Sequence, residues 1–199
     1  MSTKELIRLV YIDDDREEGI SKYLNTHYRN DAYDVRYDEV EFKGSEGYEK
    51  LLEMPDVTAA NVILIDSRLF ENDYERSAGR FTGEEFRMIL RKVLPFIEVL
   101  VISQNGENKD FDIIPKYRYT SAESEVQHYE RVLKQKIDES IERVAIFRNI
   151  SKKLEHNEGI EKLLVERIVS ALNGINEYDG LSKADVDRLI EAFQNIGQG

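Results

Sequence analysis

Leu9-Val10-Tyr11-Ile12-Asp13-Asp14-Asp15 is the stretch on which the fold turns. An apolar run this short has the pattern of a strand buried on both faces of a parallel sheet, and here it stops on three carboxylates. Three further runs end on reactive side chains. Asn61 to Ile65 ends in Asp66, Val99 to Ile102 in Ser103, and Ile113-Ile114-Pro115 in Lys116. In open α/β sheets the ligand lies beyond the carboxyl ends of the strands, where the strand order reverses. Asp13, Asp14, Asp66, Ser103 and Lys116 are therefore expected to converge on one crevice suited to a phosphate and a metal.

Between these runs the apolar spacing becomes helical. Ile20, Tyr23 and Leu24 predict a helix from about Arg16 to Tyr28. Tyr33, Val35 and Tyr37, then Val40 and Phe42, read as a second strand at the sheet edge and a candidate for a bulge. Ser45 is placed to cap a short helix that buries Tyr48, Leu51 and Leu52 and stops at Pro55. Thr82-Gly83-Glu84-Glu85 is a capping box before the apolar stripe Phe86, Ile89, Leu90, Val93 and Leu94, with Pro95 as the stop. The alternation of strand and helix implies right-handed crossovers and a parallel sheet.

Gln104 to Asp112 is too polar and too short for a packed helix. From about Ala122 one very long helix is expected, carrying Val126, Tyr129, Leu133, Ile137, Ile141, Val144, Arg148 and Ser151 at spacings of three and four. Its stripe widens over Ala145, Ile146, Phe147 and Ile150 and fades near Asn157. At ~35 residues it would run about 50 Å, beyond the edge of the sheet. Two shorter helices are expected over Ile160–Leu172 and Ser182–Asn195. The chain thus divides into an α/β core over 1–120, the long helix over 121–157, and a helical hairpin or dimerisation region over 158–199. An apolar patch as large as the widened stripe calls for cover, by the final helices and by a second copy in a homodimer.

The 28 basic residues against 40 acidic ones give a net charge of −12, which argues against a nucleic-acid surface. The absence of cysteine excludes disulfides, thiolate metal sites and thiol catalysis. No segment has the composition of a signal peptide or approaches the ~20 apolar residues of a membrane span, so a cytoplasmic protein without membrane partners is expected.

Leu9 to Asp15, with Asp66, Ser103 and Lys116 behind it, resembles a receiver domain of the response-regulator family over roughly residues 5–145. The resemblance implies a flavodoxin-like fold: five parallel strands with helices on both faces, followed here by the helical extension. It implies that Asp13 and Asp14 are the acid pair that holds Mg²⁺ together with Asp66. Asp66 would be the phosphoacceptor, Ser103 the switch hydroxyl and Lys116 the amine that pairs with phosphate. Thr82-Gly83 looks like the acid-glycine that opens the family's third helix. A histidine kinase or other phosphodonor protein and a downstream protein partner are also implied. The phosphorylation would be self-catalysed, not enzymatic turnover.

The sequence also departs from the family pattern. Gly83 follows Asp66 by 17 positions, so Glu71 to Arg80 reads as an insertion over the site. Lys116 follows Ser103 by only 13, so the fourth helix is expected to be lost or reduced to a loop. Tyr117 replaces the customary proline, Ile113 stands where the switching aromatic is usual, and Gln104 replaces a small residue.

Two other readings compete. One is a pseudo-receiver, a binding and dimerisation scaffold that is not phosphorylated. The other is a haloacid-dehalogenase-like phosphatase opening on Asp13-x-Asp15, but Glu17 stands where that family needs threonine or valine. More ordinary roles are also open to these residues: a solvated acidic loop for the acid pair, and a helix N-cap or Asx-turn for Asp66. His27, His128 and His156 lack ligand spacing and are expected at the surface. Asn176 to Gly180 hints at a calcium loop but fails, because Ile175 and Val186 would fall at ligand positions. The 11 tyrosines are assigned to packing.

Overall fold

The computed structural model describes residues 4–43, 46–69, 82–104 and 113–155. Its strands are β1 (Leu6–Asp13), β2 (Asp34–Glu41), β3 (Val62–Asp66), β4 (Glu98–Ser103) and β5 (Ile114–Pro115). They form one all-parallel sheet in the order β2-β1-β3-β4-β5, so the predicted α/β class with five parallel strands is present. The order reverses between β1 and β3, which opens a crevice at their carboxyl ends. Asp13 and Asp66 close the two strands that flank it.

Side-chain alternation divides the core into two layers. Ile7, Leu9 and Tyr11 of β1, with Val62 and Leu64 of β3, pack under α1 (Glu18–Lys22), α5 (Glu125–Val132) and α6 (Lys134–Glu155). Val10, Ile12, Ile63 and Ile65 pack on the other side under α2 (Tyr48–Glu53), α3 (Pro55–Thr58) and α4 (Gly83–Val93). Asp13 and Asp66 continue the first row and Ser103 continues the second. That difference of face matters at the site.

The local expectations meet several corrections. Strand β2 is an edge strand as predicted, but its register with β1 runs unbroken from Leu6↔Asp34 to Asp13↔Glu41, so it carries no bulge. The N-cap of α2 is Gly47 at φ 83°, with no side-chain cap, and Ser45 lies outside the described residues. As predicted, α2 stops ahead of Pro55, with Met54 extended at ψ 125°, and Pro55 then opens α3, because a missing N–H costs nothing in a first turn. The Thr82–Glu85 capping box is present with both reciprocal bonds, at 3.3 and 2.8 Å.

The long helix begins at Glu125 and not near Ala122, since Ser124 and Gln127 form a second capping box. Leu133, at φ −102°, separates α5 from α6, yet hydrogen bonds from Leu133 to Tyr129 and from Ile137 to Leu133 carry the helical path through it. Tyr129, Leu133, Ile137, Ile141, Val144 and Ser151 are buried as the stripe predicts. Arg148 lies on that stripe because it clasps the sheet: it donates to the Leu6 carbonyl at 2.9 Å and to Asn61 Oδ1 at 3.1 Å. Arg143 pairs with Glu98 at 2.8 Å and Lys152 with Glu5 at 2.7 Å, fastening α6 to the amino-terminal edge of the strands. Within the same span Ile146 and Ile150 are exposed, while Phe147 packs edge-on against Phe96 at 5.4 Å.

His27 is exposed as expected, but His128 is buried. Its ring packs edge-on against Tyr117 and Tyr129 and sits between the Glu123 carboxylate (3.0 Å) and the Pro115 carbonyl (2.9 Å). The apolar spacing missed it because both polar ring atoms find partners inside. Among the described residues no helix is long and apolar enough to cross a membrane. The expected Glu71–Arg80 insertion, nearly all of the Gln104–Asp112 stretch, His156 and the two expected final helices lie outside the described residues.

Candidate functional site

The ends of β1, β3 and β5 bring four of the five predicted residues to one cleft. Asp13, Asp14 and Asp66 each offer a carboxylate oxygen, and these oxygens lie within 4.8 Å of one another. Lys116 reaches in from just past β5, with Nζ 2.7 Å from Asp66 Oδ1 and 3.2 Å from Asp13 Oδ2. Asp13, Asp66 and Lys116 are all at least nine-tenths buried, so these are ion pairs in a low-dielectric setting. Burial by itself would lower the Lys116 pKa, but the charges and hydrogen bonds of Asp66 and Asp13 outweigh it and leave the ammonium above its ordinary range.

Backbone and phenol donors hold the two buried acids in place. The Arg68 N–H donates to Asp66 Oδ2 at 2.7 Å, and the Asp15 N–H to Asp13 Oδ1 at 3.2 Å. Tyr11, two residues before Asp13 on the same face of β1, donates its hydroxyl to Asp13 Oδ2. Burial first, and then the Asp13 charge, raise the Tyr11 phenol far above its usual range, so it stays a donor. Gly83 is required where α4 meets β3: its N–H donates to the Ser67 carbonyl at 3.0 Å, and an added Cβ would lie 2.6 Å from the Asp66 carbonyl oxygen. The residue predicted as the family's glycine thus seats α4 directly on the Asp66 backbone.

Ser103 is placed differently from the other four. It is buried at the end of β4, on the face toward α4, and its hydroxyl accepts from Ser67 at 2.8 Å. It does not line the cleft, which measures about 380 Å³ and is bounded by Asp13, Asp14, Asp66 and Lys116 with Arg16, Glu17, Arg68, Glu125 and others. Six carboxylates line that cleft against three cations, and Arg16 is already paired with Glu41 at 2.9 Å. A bare phosphate would meet net negative charge there. A hard divalent cation fits the all-oxygen donor set and would relieve the repulsion.

No protein-family model matches the chain, and no curated protein matches it. The geometry therefore carries the functional reading. Tyr11, Glu17, Ser67 and Arg68 belong to the site or its support, Tyr129 lies outside the cleft and is bonded to Glu17, and sequence reasoning gives none of the five a functional role. Period-two alternation from Asp13 could have found Tyr11. Nothing local connects Glu17 with Tyr129, which donates its hydroxyl to Glu17 Oε1 from 112 positions away.

Proposed function

We propose that this chain is a flavodoxin-like receiver domain of the response-regulator kind, in which Asp66 accepts a phosphoryl group in a Mg²⁺-dependent reaction and thereby alters a protein–protein contact. The observation that carries this reading is the Asp13–Asp14–Asp66 cluster with Lys116 Nζ 2.7 Å from the acceptor, at the reversal of strand order. The order 2-1-3-4-5 is that of flavodoxin-like sheets and supports the finer fold assignment.

Asp13 and Asp14, with Asp66, are the residues that would hold Mg²⁺. When bound, the ion supplies positive charge to the oxygens of the transferring group. An Asp66 carboxylate oxygen attacks phosphorus. The new O–P bond forms as the bond to the donor's leaving group breaks, and that group departs with the electron pair. Lys116, released from Asp66 by loss of the acceptor's charge, turns to the phosphoryl oxygens. The Arg68 N–H keeps the carboxylate oriented throughout. A histidine kinase or another phosphodonor protein would supply the group, and the exposed Ile146–Ile150 face of α6 would form a homodimer seam or receive the downstream protein.

The pseudo-receiver reading has one observation in its favour: Lys116 already pairs with both Asp66 and Asp13. Intact mass measurement after incubation with acetyl phosphate and Mg²⁺ separates the two. A gain of ~80 Da that disappears in Asp66→Asn supports phosphorylation. No gain with any small donor favours the scaffold.

A further inference from the structure

One carboxylate at the cleft has no place in the chemistry above. Glu17 precedes α1 and belongs to neither the acid cluster nor the sheet. Its Oε2 is buried and accepts no hydrogen bond, and the cation facing it is Lys116, 3.7 Å away. Its Oε1 accepts the Tyr129 hydroxyl. That hydroxyl in turn accepts the N–H of Tyr117, the residue after Lys116, at 3.2 Å. Tyr129 is fully buried on α5, with its ring 6.0 Å from that of Tyr23. A circuit therefore runs from the Lys116 ammonium through Glu17 and Tyr129 to the backbone N–H of Tyr117, the residue joined to Lys116, and one of its members is part of α5.

This circuit responds to charge. Burial pushes the Glu17 carboxyl above its usual range, while the Tyr129 bond and the Lys116 charge act to lower it. Oε2 thus depends on an ammonium that Asp66 and Asp13 also hold. Any event that draws Lys116 toward a new anion removes the counter-charge from Glu17 and leaves a half-buried carboxylate to find another donor. The bond it keeps is the one from Tyr129, whose single hydroxyl proton already goes to Oε1, so any shift of the carboxylate is felt at Tyr129.

We infer that Glu17 and Tyr129 form a relay that couples the position of Lys116 to α5, so that occupancy of the Asp66 site is transmitted to the helical extension. Glu17 is a positioning residue for Lys116, and Tyr129 is the point at which α5 registers its movement. The inference rests on the receiver reading for the event that moves Lys116. It supplies a side-chain route to α5, whereas the Ser103 hydroxyl is bonded to Ser67 on the opposite face of the sheet.

Hydrogen exchange by mass spectrometry on the full chain tests it, comparing untreated protein with protein treated with acetyl phosphate and Mg²⁺. In the wild type, treatment should change exchange over residues 125–133 by about tenfold or more, the worth of a hydrogen bond to a charged group. Tyr129→Phe keeps the ring and should still gain the phosphoryl mass, but should lose that treatment-dependent difference. Glu17→Gln, whose amide cannot offer Lys116 a counter-charge, should lose it too. A phosphorylated Tyr129→Phe that keeps the full wild-type difference overturns the relay. Equal acceleration of exchange in both states also overturns it, since a mere brace behaves that way. A wild type that gains no mass overturns the receiver reading itself and the relay with it, and the mass channel distinguishes that failure from the other two.

Discussion

Replacing Lys116 with methionine keeps an unbranched side chain one atom shorter and removes its charge, leaving Asp13 and Asp66 buried without their cation. With an effective dielectric of about 20, attraction at 2.7 and 3.2 Å is worth roughly 6 and 5 kcal/mol before desolvation is subtracted. Most of that is offset by the cost of burying the ammonium. The net loss on stripping one partner from a buried pair is about 3–5 kcal/mol. At about 2–4 °C per kcal/mol for a domain of this size, Tm should fall by roughly 6–20 °C. The assay is circular dichroism at 222 nm during heating, in chelator and in millimolar Mg²⁺. The cation should restore more stability to Lys116→Met than it adds to wild type, because the variant presents the same three carboxylates with no ammonium competing for them. Saturation at 100 times Kd would return about 2.7 kcal/mol. A variant that melts within about 2 °C of wild type in chelator, against the shift worked from the ion pairs, would refute the reasoning. So would equal stabilisation of both proteins by Mg²⁺.

Gly83→Ala sets a methyl 2.6 Å from the Asp66 carbonyl oxygen, so α4 or the acceptor strand must shift, at about 1–3 kcal/mol; urea unfolding measures the cost, and acetyl phosphate labelling should slow in parallel. The Glu123 carboxyl is lowered to about 2, by its hydrogen bond from Arg131 first and by His128 next. Its contribution to stability is therefore complete above the ordinary carboxylate value of 4.5 and is lost as pH falls toward about 2. The stability difference between wild type and Glu123→Gln should follow that window in acid titrations monitored by circular dichroism, and a pH-independent difference would contradict it. Light scattering at micromolar concentration should give a mass above the 23.2 kDa of one chain, and Ile146→Glu should return it to one chain. Ile146 is a better probe than Phe147, whose ring already packs on Phe96.

Much of this arrangement was legible in the sequence because it is written locally. The strands announce themselves as apolar runs, since a strand covered on both faces has no polar side to show. Asp13, Asp66, Ser103 and Lys116 mark strand ends because each is the first polar residue after an apolar run or just past it. The Thr82–Glu85 box is a four-residue device whose partners are all within one turn, so it reads the same in sequence and in space.

Only the tertiary structure decided the partnerships. Lys116 lies 103 positions from Asp13, and their ion pair exists because β4 and β5 were laid down on the far side of β3 from β1. Strand order arises from crossover packing and leaves no local trace. Ser103 shares its strand-end position with the acids but turns to the α4 face, because alternation along β4 is in the opposite phase. His128 is buried because the Pro115 carbonyl and Glu123 happen to lie at both of its ring nitrogens. Glu17 and Tyr129 meet across the whole domain. Apolar burial depends on a residue's own surface and so survives in its periodicity. The satisfaction of a buried charge depends on which other residue arrives, and that is settled only when the chain closes.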